Sequence, residues 1–151
     1  MNLFNFDSSL VSFFYLIVAL VLGSTLGLER SLAGKTAGVR TFGLVSMGSC
    51  LFILIAQAVI PTVNAFNYDP LRIAAGVVMG IGFLCGGVIV FKDSTLVGLT
   101  TAAGLWVAAG IGMAVGYGLI LLALFATMAT ILVFIVFWFI EQKVISKGSN
   151  G

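Results

Sequence analysis

The stretch "LVGLTTAAGLWVAAGIGMAVGYGLILLALFATMATILVFIVFWFI", residues 96–140, contains no charged side chain. A helix needs about 20 apolar residues to cross the hydrocarbon core of a bilayer, so this run is too long for one crossing and long enough for two. Two rigid helices need a turn between them, and the "GYG" at 116–118 is the natural place for it. The stretch therefore predicts two transmembrane helices, at about 98–115 and 119–140.

The remaining sequence predicts three more crossings. Of the 151 residues, 61% are hydrophobic and 8% are charged, which leaves too little polar surface for a soluble domain. Asp69 is a good N-cap and Pro70 a good first helical residue, while Pro61 stops the helix before them. The start "MNLFNFDSS" has no Lys or Arg, so the first apolar run is expected to be a retained helix rather than a cleaved signal. We therefore predict an all-α polytopic membrane protein, one domain over residues 1–151, whose first three helices cover about 10–28, 41–60 and 70–91.

The distribution of basic residues predicts the orientation. With five crossings the two ends of the chain lie on opposite sides, and six cations fall on one side against Arg72 on the other. Because Lys and Arg are enriched in cytoplasmic loops, we expect the N-terminus outside and the C-terminus in the cytoplasm. The six cations are Arg30, Lys35, Arg40, Lys92, Lys143 and Lys147.

Glycines are concentrated in the first, third and fourth predicted helices. Small residues four apart let helix backbones approach closely in lipid, and tight packing is their ordinary role. The fifth predicted helix has no glycine between Leu119 and Ile140, so we expect it at the periphery and the third and fourth in the middle of the bundle. The indole of Trp106, mid-helix, should find a partner for its N–H or pack on the glycines of the third helix. The residues assigned to helix packing are Gly23, Gly27, Gly76, Gly80, Gly82, Gly86, Gly87, Gly112, Gly116 and Trp106.

Glu29 is the only acid in or beside the first two predicted helices. A carboxylate near the membrane should pair with a cation, and Arg40, across the turn, is the nearest candidate along the chain. The alternative is that Glu29 and Arg30 only extend to the solvated interface. At the other face, Asp69 or another subunit is the expected partner of Arg72.

Two adjacent threonines begin the fourth predicted helix. Their hydroxyls are expected either to bond to the backbone or the ion-pair cluster, or simply to start the helix. The complete predicted polar cluster is Glu29, Arg30, Arg40, Thr41, Asp69, Arg72, Thr100 and Thr101.

Several function classes are disfavoured. No histidine occurs and no acid lies mid-membrane, so the usual proton relay is missing, and no nucleotide-loop, zinc-protease or nucleophile motif is present. We therefore expect no enzyme activity and no cofactor, and assign no metal site. The net charge of +2 is too small to predict a nucleic-acid partner. Cys50 and Cys85 are expected to be small packing residues, with a disulfide between them left open.

Three blocks of sequence carry a family resemblance. "GLERSLAGKTAGVRT" at 27–41, "DPLRIAAGVVMGIGFLCGGVI" at 69–89 and "GLTTAAGLWVAAGIGMAVGYG" at 98–118 resemble the signature blocks of the MgtC/SapB family of bacterial inner-membrane proteins. The chain looks like the short SapB-like form, because it ends soon after its last predicted helix. The matching positions are Glu29, Arg30, Gly38, Arg40, Thr41, Asp69, Arg72, Gly80, Gly82, Gly98, Thr100, Thr101 and Trp106.

The resemblance implies a place in the bacterial inner membrane and a role in magnesium or cation homeostasis. Members of the family are linked to growth in low magnesium and, in intracellular pathogens, to survival inside macrophages. They are regarded as regulators that act through other membrane proteins. The alternative is a small cation transporter or channel with a path lined by the glycine-rich third and fourth helices. Under either reading we expect a homo-oligomer in the lipid bilayer, with other membrane proteins as further partners.

Overall fold

The computed structural model describes residues 6–59, 69, 71–92 and 94–148. Within these ranges five helices are long and apolar enough to cross a membrane, which confirms the predicted all-α membrane fold. Ile60, Pro61, Pro70 and Asp93 lie outside the described residues, as do both ends of the chain and the side chain of Lys147. The helices are α1 (Phe6–Leu32), α2 (Val39–Val59), α3 (Leu71–Val88), α4 (Leu99–Gly116) and α5 (Ile120–Gly148).

A short hairpin joins α3 to α4, where a continuation of the third helix to residue 91 was predicted. Strand β1 (Val90–Lys92) pairs antiparallel with β2 (Thr95–Val97), and Val90 lies opposite Val97. β-branched residues favour a strand over a helix end, and Ser94 adopts a φ of 64° in the turn between the strands. The prediction was wrong because a short apolar run next to a helix cannot be distinguished from the helix by periodicity.

Close backbone contact between α1 and α2 forms one half of the core. A Cβ added at Gly27 would lie 2.6 Å from the carbonyl oxygen of Gly38, and one added at Gly23 would lie 2.6 Å from that of Phe42. Only glycine permits these distances, so both residues let the backbones of α1 and α2 come into contact.

Helix α4 lies at the centre of the bundle, as predicted. A Cβ at Gly116 would lie 3.1 Å from the carbonyl oxygen of Cys50, and Gly112 meets the backbone of Ser46 in the same way. On another side of α4, Gly104 leaves room for the ring of Phe134 from α5. Helix α4 therefore packs against α2 and α5 through glycine.

Helix α3 is peripheral, which contradicts its predicted central position. Ile81 is its only buried residue among those described. A Cβ added at any of its glycines would meet nothing within 4 Å, so their packing role is not realised within the chain; these are Gly76, Gly80, Gly82, Gly86 and Gly87. The reason is that α2 and α5 already occupy the positions next to the closely packed glycines of α4.

The expectation for Trp106 was also wrong. Its side chain is 53% exposed and lies beside a groove between α3, α4 and α5, away from the glycines of α3. Helix α5 has an exposed outer surface, as predicted, and buries Ala123, Thr127 and Phe134 against the bundle.

Candidate functional site at the basic end of the bundle

The end of α1, the start of α4 and the end of α5 surround a cleft of 420 Å³, which we call the basic-end cleft. Its polar lining consists of Arg30, Lys35, Thr100, Thr101 and Glu141. Apolar side chains of β2 and α5 form the rest of its wall, Leu96 and Trp138 among them. The cleft thus combines cations, hydroxyl groups and an apolar wall at one end of the helix bundle.

Arg30 is the most deeply buried charge in the described part of the chain. Its side chain is 4% exposed, and its Nε and Nη2 both donate to the carboxylate of Glu29, the second at 2.7 Å. The guanidinium also lies 3.8 Å from the centroid of the Phe134 ring, a cation–π contact that ties α1 to α5. Arg30 therefore does not extend into solvent, and the interfacial alternative is wrong for it.

The predicted pair between Glu29 and Arg40 is wrong. Helix α1 continues to Leu32, so Glu29 and Arg30 are adjacent in its last turns and pair with each other. Arg40 and Thr41 are exposed on α2, and no ion pair joins Arg40 to any other described residue. The end of α1 could not be predicted from the sequence. The apolar run ends at Leu28, and the polar residues that follow look like a loop although they still form the last turn of the helix.

The start of α4 has no side-chain cap. Its N-cap residue, Gly98, has a φ of 94°, and the first amide to find a helical acceptor is that of Ala102, which donates to the Gly98 carbonyl oxygen at 2.8 Å. Thr100 and Thr101 occupy the first turn, as the helix-start alternative predicts. Thr101 is 3% exposed, yet its hydroxyl forms no hydrogen bond with any residue that the structure describes.

Asp69 and Arg72 lie at the opposite end of the bundle. The Oδ1 of Asp69 accepts a hydrogen bond from the amide of Leu71 at 2.9 Å, which confirms the predicted N-cap. No ion pair joins Asp69 to Arg72 within residues 6–59, 69, 71–92 and 94–148. Arg72 instead lines a second cleft, of 620 Å³, between α2 and α3.

The cysteines do not form a disulfide. Cys50 is a buried free thiol, and the Cys85 Sγ donates to the carbonyl oxygen of Ala102 at 3.1 Å, so the disulfide alternative is wrong. Over the described ranges, no group of three His, Cys, Asp or Glu side chains could hold a metal ion.

Sequence reasoning missed two residues of the basic-end cleft. Phe134 supports the guanidinium of Arg30, and Glu141 lies on the rim across from α4. A signal existed for Glu141, because it is the first charge after the apolar run and ends the fifth crossing on the side where the first crossing ends. Phe134 gave no such signal among the many Phe residues of α5.

The five-helix bundle places the chain in the class of multi-pass membrane proteins. The model of the MgtC family matches residues 16–143, and the chain therefore belongs to the MgtC family. No solved structure matches the chain.

Curated relatives come from several bacteria. The chain is 40% identical over 136 residues to a protein of Escherichia coli K12 named "Putative magnesium transporter YhiD", an alignment covering 88% of this chain and 63% of the relative. It is 42% identical over 88 residues to "Protein MgtC" of Salmonella typhimurium LT2, covering 58% of this chain and 36% of that protein. An uncharacterised protein of Synechocystis is 47% identical over 88 residues, with 58% and 36% covered. The chain thus spans less than two thirds of the length of these relatives.

Proposed function

We propose that this protein acts in magnesium homeostasis as a non-enzymatic protein of the bacterial inner membrane, by binding a transmembrane helix of another membrane protein. The name of the E. coli relative supports the connection with magnesium. The proposal for a helix partner rests on α3.

The observation that carries the proposal is the contrast between two sets of glycines. Gly23 and Gly27 of α1 and Gly112 and Gly116 of α4 lie against neighbouring backbones, whereas none of the five on α3 has a neighbour within 4 Å of an added Cβ. Small residues support helix association in lipid because they permit dense backbone contact. A helix with five such positions and one buried residue has a face suited to a partner helix.

The second cleft defines where that partner would lie. Gly76 and Gly80 of α3 face Gly48 of α2 across it, so a helix seated there would approach both backbones. Arg72 lies in the same lining and is exposed. A partner helix with small residues along one side and an acidic residue near its end would match this lining.

The alternative is a cation transporter whose path is lined by α3 and α4, a reading favoured by the name of the E. coli relative. The lining of the groove between α3, α4 and α5 weighs against it. That lining is apolar and has no carboxylate or other charged side chain, whereas a magnesium ion needs oxygen ligands.

Two measurements on the full chain test the proposal. In a bacterial host that lacks its own family member, we expect Gly76→Leu and Gly80→Leu to abolish growth in low magnesium while the protein remains in the membrane. Gly110→Leu is the matched control, since Gly110 on α4 also has open space around it but lies outside the second cleft. The purified protein in liposomes should give no magnesium flux above empty liposomes. If the liposomes show magnesium flux and Gly80→Leu abolishes it, the proposal is wrong and the transporter alternative is correct.

A further inference from the structure

We propose that the basic-end cleft binds a phosphate group. The ligand would be held by the hydroxyls of Thr100 and Thr101, the open amides of α4, and the cations Arg30 and Lys35. This site is at the opposite end of the bundle from Arg72, and it does not depend on the contact proposed for α3.

The first line of support is the uncapped start of α4. The amides of Leu99, Thr100 and Thr101 precede the first helical hydrogen bond, so they are the donors that a cap would normally satisfy. The 18-residue helix adds a partial positive charge at the same place. Gly98 packs against the backbone of Val88 and has no side chain that could cap these amides, and it lies in the lining of the cleft together with Leu99, Thr100 and Thr101.

Thr101 is an independent second observation. The side chain of Thr101 lines the cleft and is only 3% exposed. Its hydroxyl has no hydrogen-bond partner among the described residues. The side chain of Thr101 is almost fully buried, but its hydroxyl oxygen keeps some accessible surface, so it can bond to a group that enters the cleft. An acceptor oxygen in the cleft would satisfy it.

The cations explain why that acceptor should be anionic. Glu29 occupies the Nε and Nη2 of Arg30, which leaves Nη1 without an acceptor in the described part of the chain. The contact with Phe134 and the two hydrogen bonds to Glu29 hold the guanidinium in place, so the position of this third nitrogen is fixed before a ligand binds. Lys35 adds a second, exposed cation.

Phosphate, with several acceptor oxygens, matches this mixture of amides, hydroxyls and cations better than a carboxylate does. It could come from an anionic phospholipid or from solution. The apolar wall with Leu96 and Trp138 suits a phosphate that carries acyl chains. Glu141 on the rim would repel either ligand and so tune its affinity.

The test measures binding to the full chain in detergent micelles by native mass spectrometry and by thermal shift. Three probes separate the sources: phosphatidylglycerol for a lipid phosphate, inorganic phosphate for a soluble one, and diacylglycerol for acyl chains alone. We expect binding of phosphatidylglycerol or inorganic phosphate, and weaker binding of diacylglycerol. Diacylglycerol binding as strong as either phosphate probe would overturn the proposal.

The decisive variant is Thr101→Val, which keeps the shape of the side chain and removes the hydroxyl. We expect roughly tenfold weaker phosphate binding, the effect of one lost hydrogen bond to a charged group. Without ligand its stability should not fall, because the Thr101 hydroxyl has no partner to lose. Thr127→Val is the matched control: Thr127 is also buried, but its hydroxyl donates to Ala123 at 2.8 Å, away from the cleft.

Charge variants complete the test. Lys35→Gln should weaken binding and Glu141→Gln should strengthen it, each by several-fold. Binding that falls in Lys35→Gln but is unchanged in Thr101→Val would indicate general attraction to a basic surface, and would refute a built site.

Discussion

Removing the charge of Glu29 should destabilise the bundle, because it leaves the Arg30 guanidinium buried without a counter-charge. In Glu29→Gln one amide oxygen replaces a carboxylate that accepts from both Nε and Nη2. Breaking a buried pair by removing one partner costs 3–5 kcal/mol, and we expect about 3 kcal/mol here, since the Glu29 side chain is 20% exposed. For a chain of this size that corresponds to a fall in Tm of roughly 6–12 °C.

The assay is thermal unfolding of the purified protein in detergent, with size-exclusion chromatography to confirm the folded state. Arg40→Gln is the control: Arg40 is exposed and forms no ion pair with a described residue, so its loss should leave the Tm unchanged. The double variant Glu29→Gln/Arg30→Met removes both charges and should recover most of the lost stability.

Two results would refute the reasoning. One is a Tm of Glu29→Gln within a degree of the unmodified protein. The other is equal destabilisation by Arg40→Gln, which would mean that Glu29 relies on Arg40 after all.

Three further predictions concern packing, a buried hydroxyl and orientation. Gly27→Leu should prevent α1 and α2 from closing and so abolish the folded peak in size-exclusion chromatography, whereas Gly82→Leu, with open space around it, should retain that peak. Ser46→Ala should raise stability by about 1 kcal/mol, because the Ser46 Oγ is buried without a partner among the described residues; a lower Tm would count against this. With both native cysteines replaced by alanine, Lys35→Cys should react with a membrane-impermeant maleimide only after the cells are permeabilised. Labelling of intact cells would reverse the predicted orientation.

The number of helices could be predicted because the length of an apolar run is a local property of the chain. The bounds were accurate where a strong signal marks them, as at the Gly116–Gly118 turn, and at Asp69 the predicted cap is present. They were wrong where apolar residues continue past the helix, as in the hairpin at 90–97.

The arrangement of the helices was only partly predictable. Glycine spacing indicates that a helix face approaches something closely, but not whether that neighbour belongs to the same chain. Gly23 and Gly112 have neighbours in this chain, and Gly80, with the same local signature, has none. The partner of Glu29 depends on where α1 ends. The positions of the charged residues in the sequence do not show where that is.

The glycine contact between α1 and α2 also has a consequence for biosynthesis. The two helices are consecutive and joined by residues 33–38 alone, so their contact surfaces are both available before the rest of the chain has left the ribosome. Helix α4, whose glycines fit against α2, reaches the membrane only after α3. We therefore expect α1 and α2 to insert early and to pair with each other, and α4 to pack against them later. Helix α3 contributes little to their core, so we expect it to enter the membrane before its packing position is defined.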